Sequence, residues 1–304
     1  MSDTRRRWMY LLVLAVIWGS SYILIKKALI GFTPLQLGSV RIVMATGMLL
    51  LIGFRSLKTI GRKQWKWIAL SGVVGSLFPM YLFAFAETEI ASSVAAVLNS
   101  LVPLFTLFVG YFAFGISFYR NQLIGVLVGF AGALLLIGFG SMVSPGRNYW
   151  YAGLVVLASL GYACNANIIK SKLSGVSPMG IAVGNFICIL LPALVLTGVS
   201  GALSEPVRQN PEFWPSIGYL FLLCAFGTCV AKVLFNHLIH ISTPVFSVSV
   251  TYLIPVVGVL WGLADGEPFG LKQLGAAGLI LLGVYLVNKK RRLQKQAPDI
   301  GSGK

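Results

Sequence analysis

Residues 178–199, PMGIAVGNFICILLPALVLTGV, run for 22 positions without a charged side chain. About 20 apolar residues in an α-helix are enough to cross the ~30 Å hydrocarbon core of a membrane. A strand of a membrane barrel needs only about ten alternating residues, so the run is too long for one. This stretch therefore predicts a transmembrane helix and sets the class of the protein.

Nine more apolar runs of similar length occupy most of the chain. Its 304 residues are 57% hydrophobic and only 11% charged, against about 45–50% and about 25% in soluble domains. This composition excludes a disordered chain, a coiled coil and an ordinary soluble enzyme. We predict an all-α polytopic membrane protein with ten helices at 8–27, 35–54, 65–86, 91–114, 121–141, 150–170, 178–199, 213–236, 243–264 and 270–288.

The net charge of +16 is explained by membrane topology. Cytoplasmic loops of membrane proteins are rich in Lys and Arg. With the N-terminus inside, 17 of the 24 basic residues are cytoplasmic and 5 lie in outer loops. The cytoplasmic group comprises Arg5, Arg6, Arg7, Arg55, Lys58, Arg62, Lys63, Lys66, Arg120, Lys170, Lys172, Lys289, Lys290, Arg291, Arg292, Lys295 and Lys304, and the outer group Lys26, Lys27, Arg147, Arg208 and Lys272. We predict an inner-membrane protein with both termini cytoplasmic and no nucleic-acid partner.

The two halves of the chain share a weak internal repeat. Residues 75–110 align without gaps on 227–262, and the identical pairs are Gly75/Gly227, Leu82/Leu234, Phe83/Phe235, Leu101/Leu253, Pro103/Pro255 and Gly110/Gly262. Five helices in each half is an odd number, so the second half must enter the membrane in the opposite orientation. Inverted repeats are typical of carriers that open alternately to the two sides. The pattern therefore favours a transporter.

Several short motifs resemble the EamA family of the drug/metabolite transporter superfamily. They are Trp18-Gly-Ser20, Arg41, Tyr81–Ala86 followed by Ala91–Ala96 and Pro103, Tyr252–Pro255, Gly266-Glu267-Pro268 and Gln273-Leu-Gly275. The resemblance implies two inverted five-helix repeats, which we assign to 1–146 and 147–290, followed by a basic cytoplasmic tail at 291–304. It also implies a permease, with export of amino acids or other small metabolites. Three positions depart from the family pattern: Ile116-Ser117 replaces a Gly-Glu pair, and Glu87 and Lys232 are unusual.

Two basic residues lie inside predicted helices and are not explained by topology. A charge at a helix centre costs at least about 2.5–3.5 kcal/mol unless it is paired or hydrated. We interpret Arg41 as a structural or gating residue, with substrate contact as the alternative. Lys232 lies four residues before the predicted inner end of helix 8. It either extends to the cytoplasmic interface or binds a substrate carboxylate or phosphate, together with Asn236 one turn later.

The remaining candidates are aromatic, amide, acidic and proline residues. Glu87 is either a solvated loop charge or a gate and proton acceptor. Glu267 is assigned a gating or structural role. Pro103 and Pro255 each free a backbone carbonyl in the preceding turn, so both predict bends around which helices hinge. The expected substrate lining combines aromatic and amide groups with Lys232 and Asn236: Trp18, Tyr22, Tyr81, Asn99, Tyr162, Asn165 and Tyr252.

These features predict a secondary transporter that exports small metabolites such as amino acids by alternating access. The alternatives are a carrier of anionic or nucleobase-type metabolites and, less favoured, an intramembrane enzyme. The sequence lacks G-x-S-x-G and H-E-x-x-H motifs, which such an enzyme would use. We expect no catalytic residues, cofactor or metal. The expected partners are a small-molecule substrate and membrane lipid, and the small residues around Gly125 and Gly129 fit either packing within the chain or a homodimer.

Overall fold

The computed structural model describes residues 3–115, 120–143 and 146–288, and every regular element in these ranges is helical. The basic tail at 291–304 and the Ile116-Ser117 departure lie outside these residues. The α-helices are α1 (Asp3–Ala28), α2 (Pro34–Gly53), α3 (Trp65–Gly72), α4 (Phe78–Ala86), α5 (Ser92–Leu98), α6 (Val102–Phe114), α7 (Arg120–Val143), α8 (Ala152–Lys172), α9 (Pro178–Val199), α10 (Glu205–Arg208), α11 (Phe213–Leu222), α12 (Ala231–Ile241), α13 (Pro244–Val248), α14 (Ile254–Ala264) and α15 (Leu271–Asn288).

Nine helical segments in the described ranges are long and apolar enough to cross a membrane. They match nine of the predicted runs: Arg5–Ala28, Pro34–Thr59, Arg62–Ala86, Ser92–Phe114, Leu123–Val143, Tyr149–Lys172, Pro178–Val199, Phe213–Ile241 and Pro244–Ala264. The tenth run forms α15, whose apolar stretch Leu271–Leu286 is shorter. The prediction of an all-helical polytopic membrane protein is confirmed.

Four of these segments contain a turn of another helix type between two α-helices. A π-helical turn, Val73–Leu77, joins α3 to α4, and a longer one, Leu223–Val230, joins α11 to α12. A 3₁₀ turn, Asn99–Leu101, joins α5 to α6 just before Pro103, and Ser249–Tyr252 lies just before Pro255. The prolines indicated the two 3₁₀ irregularities. The π turns were not predicted.

The end of the eighth membrane segment differs from the sequence prediction. The predicted run stops at 236, whereas α12 continues to Ile241. The polar His237 and His240 made this stretch resemble an interface, but Leu238, Ile239 and Ile241 keep it apolar enough to extend the helix. Lys232 consequently lies nine residues before the helix end, well inside the segment.

The helices of the two halves pack against each other in a reciprocal pattern. Helix α2 packs on α9, α7 on α15 and α5 on α14. Helix α4 contacts α8, and α1 contacts α12, which occupies the place of α4 in the second half. Likewise α6 contacts α8, and α1 contacts α14. When residues 75–110 are aligned on 227–262, α5 corresponds to α13 and α6 to α14, so the α5–α14 contact has its counterpart in the α6–α13 contact.

Small residues allow the close approach of α7 and α15. A side chain at Gly283 would meet the backbone at Gly125 and Gly129, and one at Gly132 would meet the backbone of Ile280. Gly278, on the same helix as Gly283, has open space beside it. The glycines at this contact therefore serve packing within the chain.

Candidate functional site

A cavity of about 100 Å³ lies among helices of both halves. That volume holds several water molecules or one small metabolite. Seven of the sequence candidates line it: Trp18, Tyr22, Arg41, Asn99, Tyr162, Asn165 and Lys232. The unpredicted lining residues are Ser21, Ile25, Gly75, Ser76, Met80, Phe83, Val102, Gly227, Thr228, Phe235, Val248, Val250 and Thr251.

The two π turns meet the cavity at the repeated glycines. The Gly227 carbonyl accepts a hydrogen bond from Trp18 Nε1 at 3.0 Å. The Gly75 carbonyl accepts one from Lys232 Nζ, also at 3.0 Å. A π turn leaves backbone groups outside the regular i→i−4 pattern and often occurs at functional sites. The repeat had paired these glycines, but it did not reveal that their carbonyls serve as acceptors.

Lys232 is buried in this wall, with 8% of its surface exposed. Besides the Gly75 carbonyl, its ammonium donates to Ser76 Oγ at 2.8 Å. Both partners are neutral, and Lys232 forms no ion pair with any described carboxylate. Its side chain therefore crosses to the π turn of the third segment and does not extend to the interface.

Arg41 reaches the same cavity from α2 and is equally buried. Its Nε and Nη2 atoms both lie near Thr228 Oγ1, at 3.3 and 3.2 Å. Among the described residues it has no carboxylate within ion-pair distance. Arg41 thus contacts the second π turn, while Lys232 contacts the first.

Aromatic rings form the apolar part of the wall. Phe83 lies between two predicted tyrosines, with ring centroids 5.6 Å from Tyr22 and 6.0 Å from Tyr162. Trp18 packs edge-on against Phe235 at 5.1 Å. Phe83 and Phe235 are one of the six identical pairs of the internal repeat. That identity is the sequence signal that could have indicated these two residues.

Two amides complete the lining. Asn165 Oδ1 accepts a hydrogen bond from Ser71 Oγ at 2.6 Å. The buried Asn99 Oδ1 has no hydrogen-bond partner among the described residues. An unsatisfied buried acceptor costs roughly 1–3 kcal/mol, so this oxygen is suited to receive a donor from a bound molecule.

Three expected lining residues lie elsewhere. Tyr81 packs on Gly38 of α2, Asn236 donates to the Pro178 carbonyl, and the Tyr252 hydroxyl donates to the Val284 carbonyl of α15. Tyr81 lies in α4, directly after a π turn, and Tyr252 lies in a 3₁₀ turn, so both follow a departure from regular α-helix. The prolines Pro103 and Pro255 begin α6 and α14 and are not in the lining.

A charged cluster joins the halves at one end of the bundle. Glu267 Oε1 accepts from Lys26 Nζ at 2.8 Å and from the backbone and hydroxyl of Ser92, while Oε2 accepts from the backbone of Ser93. Burial alone would raise the pKa of Glu267, but the donors outweigh it and hold that pKa below its usual value. Hydrogen bonds from Lys26 and then Lys27 lower the pKa of Asp265. Glu267 therefore caps α5 and pairs with α1.

Glu87 lies just beyond α4 in a different environment. It is buried, and both carboxylate oxygens lack a hydrogen-bond partner among the described residues. Burial, followed by the negative charge of Glu267, raises its pKa well above the usual value despite the opposing charges of Arg41 and Lys26. It is not the solvated loop charge that the sequence offered as one alternative.

A second lysine contact lies at the junction of α12 and α13. Lys170 Nζ donates to the carbonyls of Ile239, His240 and Ser242 at 3.1, 3.4 and 2.6 Å. These carbonyls end α12, where a cation is favourable. The contact ties α8 to the end of the eighth segment.

The sequence matches the model of a known family over most of its length. The model of the EamA-like transporter family matches residues 6–138 and 149–289. The chain belongs to this family. A solved crystal structure shares the EamA-like fold, with a TM-score of 0.63, 94% of this chain and 97% of that chain covered, and 16% identity.

Two relatives of this EamA-like chain carry transporter names. The uncharacterized inner membrane transporter YedA of Escherichia coli K12 is 30% identical over 296 residues, covering 95% of this chain and 93% of that protein. A probable amino-acid metabolite efflux pump of Escherichia coli K12 is 26% identical, with 93% and 95% covered. Family and relatives indicate a membrane transporter with a small-molecule substrate.

Proposed function

We propose that this EamA-like transporter is an inner-membrane secondary exporter of small metabolites such as amino acids. The observation that carries the proposal is the cavity between the two halves, which combines aromatic rings with a few polar groups. Carrier and cofactor sites commonly have this composition. The efflux-pump name of one relative supports the direction and the substrate class.

The mechanism we propose is alternating access between inverted repeats at 1–146 and 147–290. The reciprocal helix contacts support it, as do the π and 3₁₀ turns that recur in both halves. We assign α15 as a tenth span and both termini to the cytoplasm, on the distribution of Lys and Arg. The Lys26–Glu267 cluster would then close the outer side, and Arg41, Glu87, Pro103 and Pro255 would take part in gating.

Transport of radiolabelled amino acids in proteoliposomes tests this function. We expect counterflow faster than in empty liposomes. Thr251→Trp, which fills the cavity, should abolish it, whereas Leu191→Trp on the exposed face of α9 should not. Equal flux in empty and protein-containing vesicles across a broad metabolite panel would contradict the proposal.

A further inference from the structure

Two buried cations share the wall of the cavity, and neither is paired with an acid. Lys232 donates only to a carbonyl and a hydroxyl, and Arg41 only to a hydroxyl. Thr228, which Arg41 contacts, precedes Lys232 by four residues on the same membrane segment, and both line the cavity. Buried charges are normally paired, because leaving water without a partner costs several kcal/mol.

No described carboxylate compensates these charges within the lining. Glu267 and Asp265 are engaged by lysines at the end of the bundle. Glu87, the acid whose charge acts on Arg41, makes no hydrogen bond to it and is not part of the cavity wall. The described lining therefore carries two positive groups and no negative one.

Both cations keep hydrogen-bond donors for a ligand. An ammonium has three N–H donors, of which Lys232 uses two. A guanidinium has five, and Arg41 directs Nε and Nη2 to a single oxygen, leaving Nη1 without a partner in the described residues. The neutral acceptors Ser76 and Thr228 could share these donors with an anion. The same lining also contains the aromatic rings of Trp18, Phe83 and Phe235.

We propose that the cavity selects metabolites bearing a carboxylate or phosphate, held by Lys232 and Arg41, with an apolar body against the aromatic rings. This narrows the proposed function, on which it rests, because amines and neutral compounds without an anionic group are excluded. The anion supplies the charge that the protein itself does not place in the cavity. An amino acid meets the requirement through its carboxylate, and its amine can donate to Asn99 Oδ1.

The test uses four ligands that share a phenyl ring and differ in charge: phenylacetate, phenyl phosphate, 2-phenylethanol and 2-phenylethylamine. Thermal shift of the purified full-length protein measures binding of each. We expect stabilisation by one or both anions and little by the alcohol or the amine. A larger effect of phenylacetate than of phenyl phosphate assigns carboxylates, and the reverse assigns phosphates.

Variants connect the preference to the two cations. Lys232→Gln and Arg41→Gln should each weaken binding of the better anion about tenfold or more, and Lys232→Arg should retain the preference for anions. Lys66→Gln removes an equivalent charge from an exposed site and should change nothing. The inference is overturned if no anion stabilises the protein, if the amine or alcohol binds as well, or if both glutamine variants bind the anion normally.

Counterflow of the better anion separates this inference from the proposed function. Anion binding that depends on Lys232 without any flux would contradict the transporter and leave the anion site intact. Flux of the amine in preference to both anions would support the transporter and reject the anion site.

Discussion

Glu267→Gln should destabilise the contact between the two halves. The carboxylate accepts four hydrogen bonds: from Lys26 Nζ, from the backbone and hydroxyl of Ser92 and from the backbone of Ser93. A glutamine keeps only one acceptor oxygen. If that oxygen stays at the Oε1 position, the amide nitrogen faces the Ser93 N–H, so a donor opposes a donor. The three remaining hydrogen bonds then have a neutral acceptor in place of a carboxylate.

The magnitude follows from these contacts. A hydrogen bond to a charged group contributes about 1.5–3 kcal/mol and a neutral one about 0.5–1.5 kcal/mol. The Lys26 ion pair adds little, because a third of that lysine side chain is exposed. We expect a loss of about 3 kcal/mol. With about 2.1 cal/mol/K of unfolding entropy per residue, this lowers the melting temperature by about 5 °C.

The pH dependence gives a second signature of the same contact. The pKa of Glu267 is lowered, so its charge contributes stability above the usual carboxyl pKa, near 4.5, and this contribution is lost as the pH falls through the lowered value. The gap between wild type and Glu267→Gln should therefore shrink in acid. Differential scanning fluorimetry in detergent across pH measures it, with the exposed Glu212→Gln as control. Equal melting temperatures of wild type and variant near pH 7 would refute the reasoning.

Other predictions concern burial, packing and a helix end. Near neutral pH, Glu87→Gln should increase the free energy of unfolding by about 1–3 kcal/mol and so raise the melting temperature. Because the pKa of Glu87 is raised above its usual value of 4.5, the cost of burying its charge is absent below about pH 4.5 and grows as the pH rises. The melting temperatures of Glu87→Gln and wild type should therefore coincide at and below about pH 4.5. Gly283→Ala should cost about 1–3 kcal/mol through a clash with Gly129, whereas Gly278→Ala should be nearly neutral in the same melts. Lys170→Met removes three hydrogen bonds to carbonyls and should increase deuterium exchange at 239–244, and unchanged exchange would argue against that contact.

The membrane-spanning segments could be predicted because hydropathy is a local property of the sequence. The intramembrane Arg41 and Lys232 were identifiable for a related reason: a charge in an apolar run is conspicuous wherever the helix points. Which side chains point into the cavity was harder to predict from the sequence. Phe83, which was not predicted, lines the cavity, whereas Tyr81, which was, packs on Gly38. The two are only two residues apart, or about 200° around an α-helix.

The length of the eighth segment depends on packing against other helices as well as on local hydropathy. His237 and His240 reduce the hydropathy of the stretch after 236, yet α12 continues because its apolar residues pack against α1 and α9. This error made Lys232 resemble an interfacial lysine. Its contact with Gly75 links residues 157 positions apart, and no local pattern predicts a pair at that separation.

The π turns have a consequence for how the sequence tolerates insertions and deletions. The hydrogen bonds of a π turn run from i to i+5 and those of an α-helix from i to i+4, so a π turn absorbs one extra residue without turning the helix that follows. Removing one residue from Val73–Leu77 would therefore convert the turn into regular α-helix and leave α4 in place, with Phe83 still in the cavity. It would also remove the irregular backbone at which the Gly75 carbonyl accepts from Lys232. A deletion at this point would thus preserve the packing of the bundle and change the cavity wall.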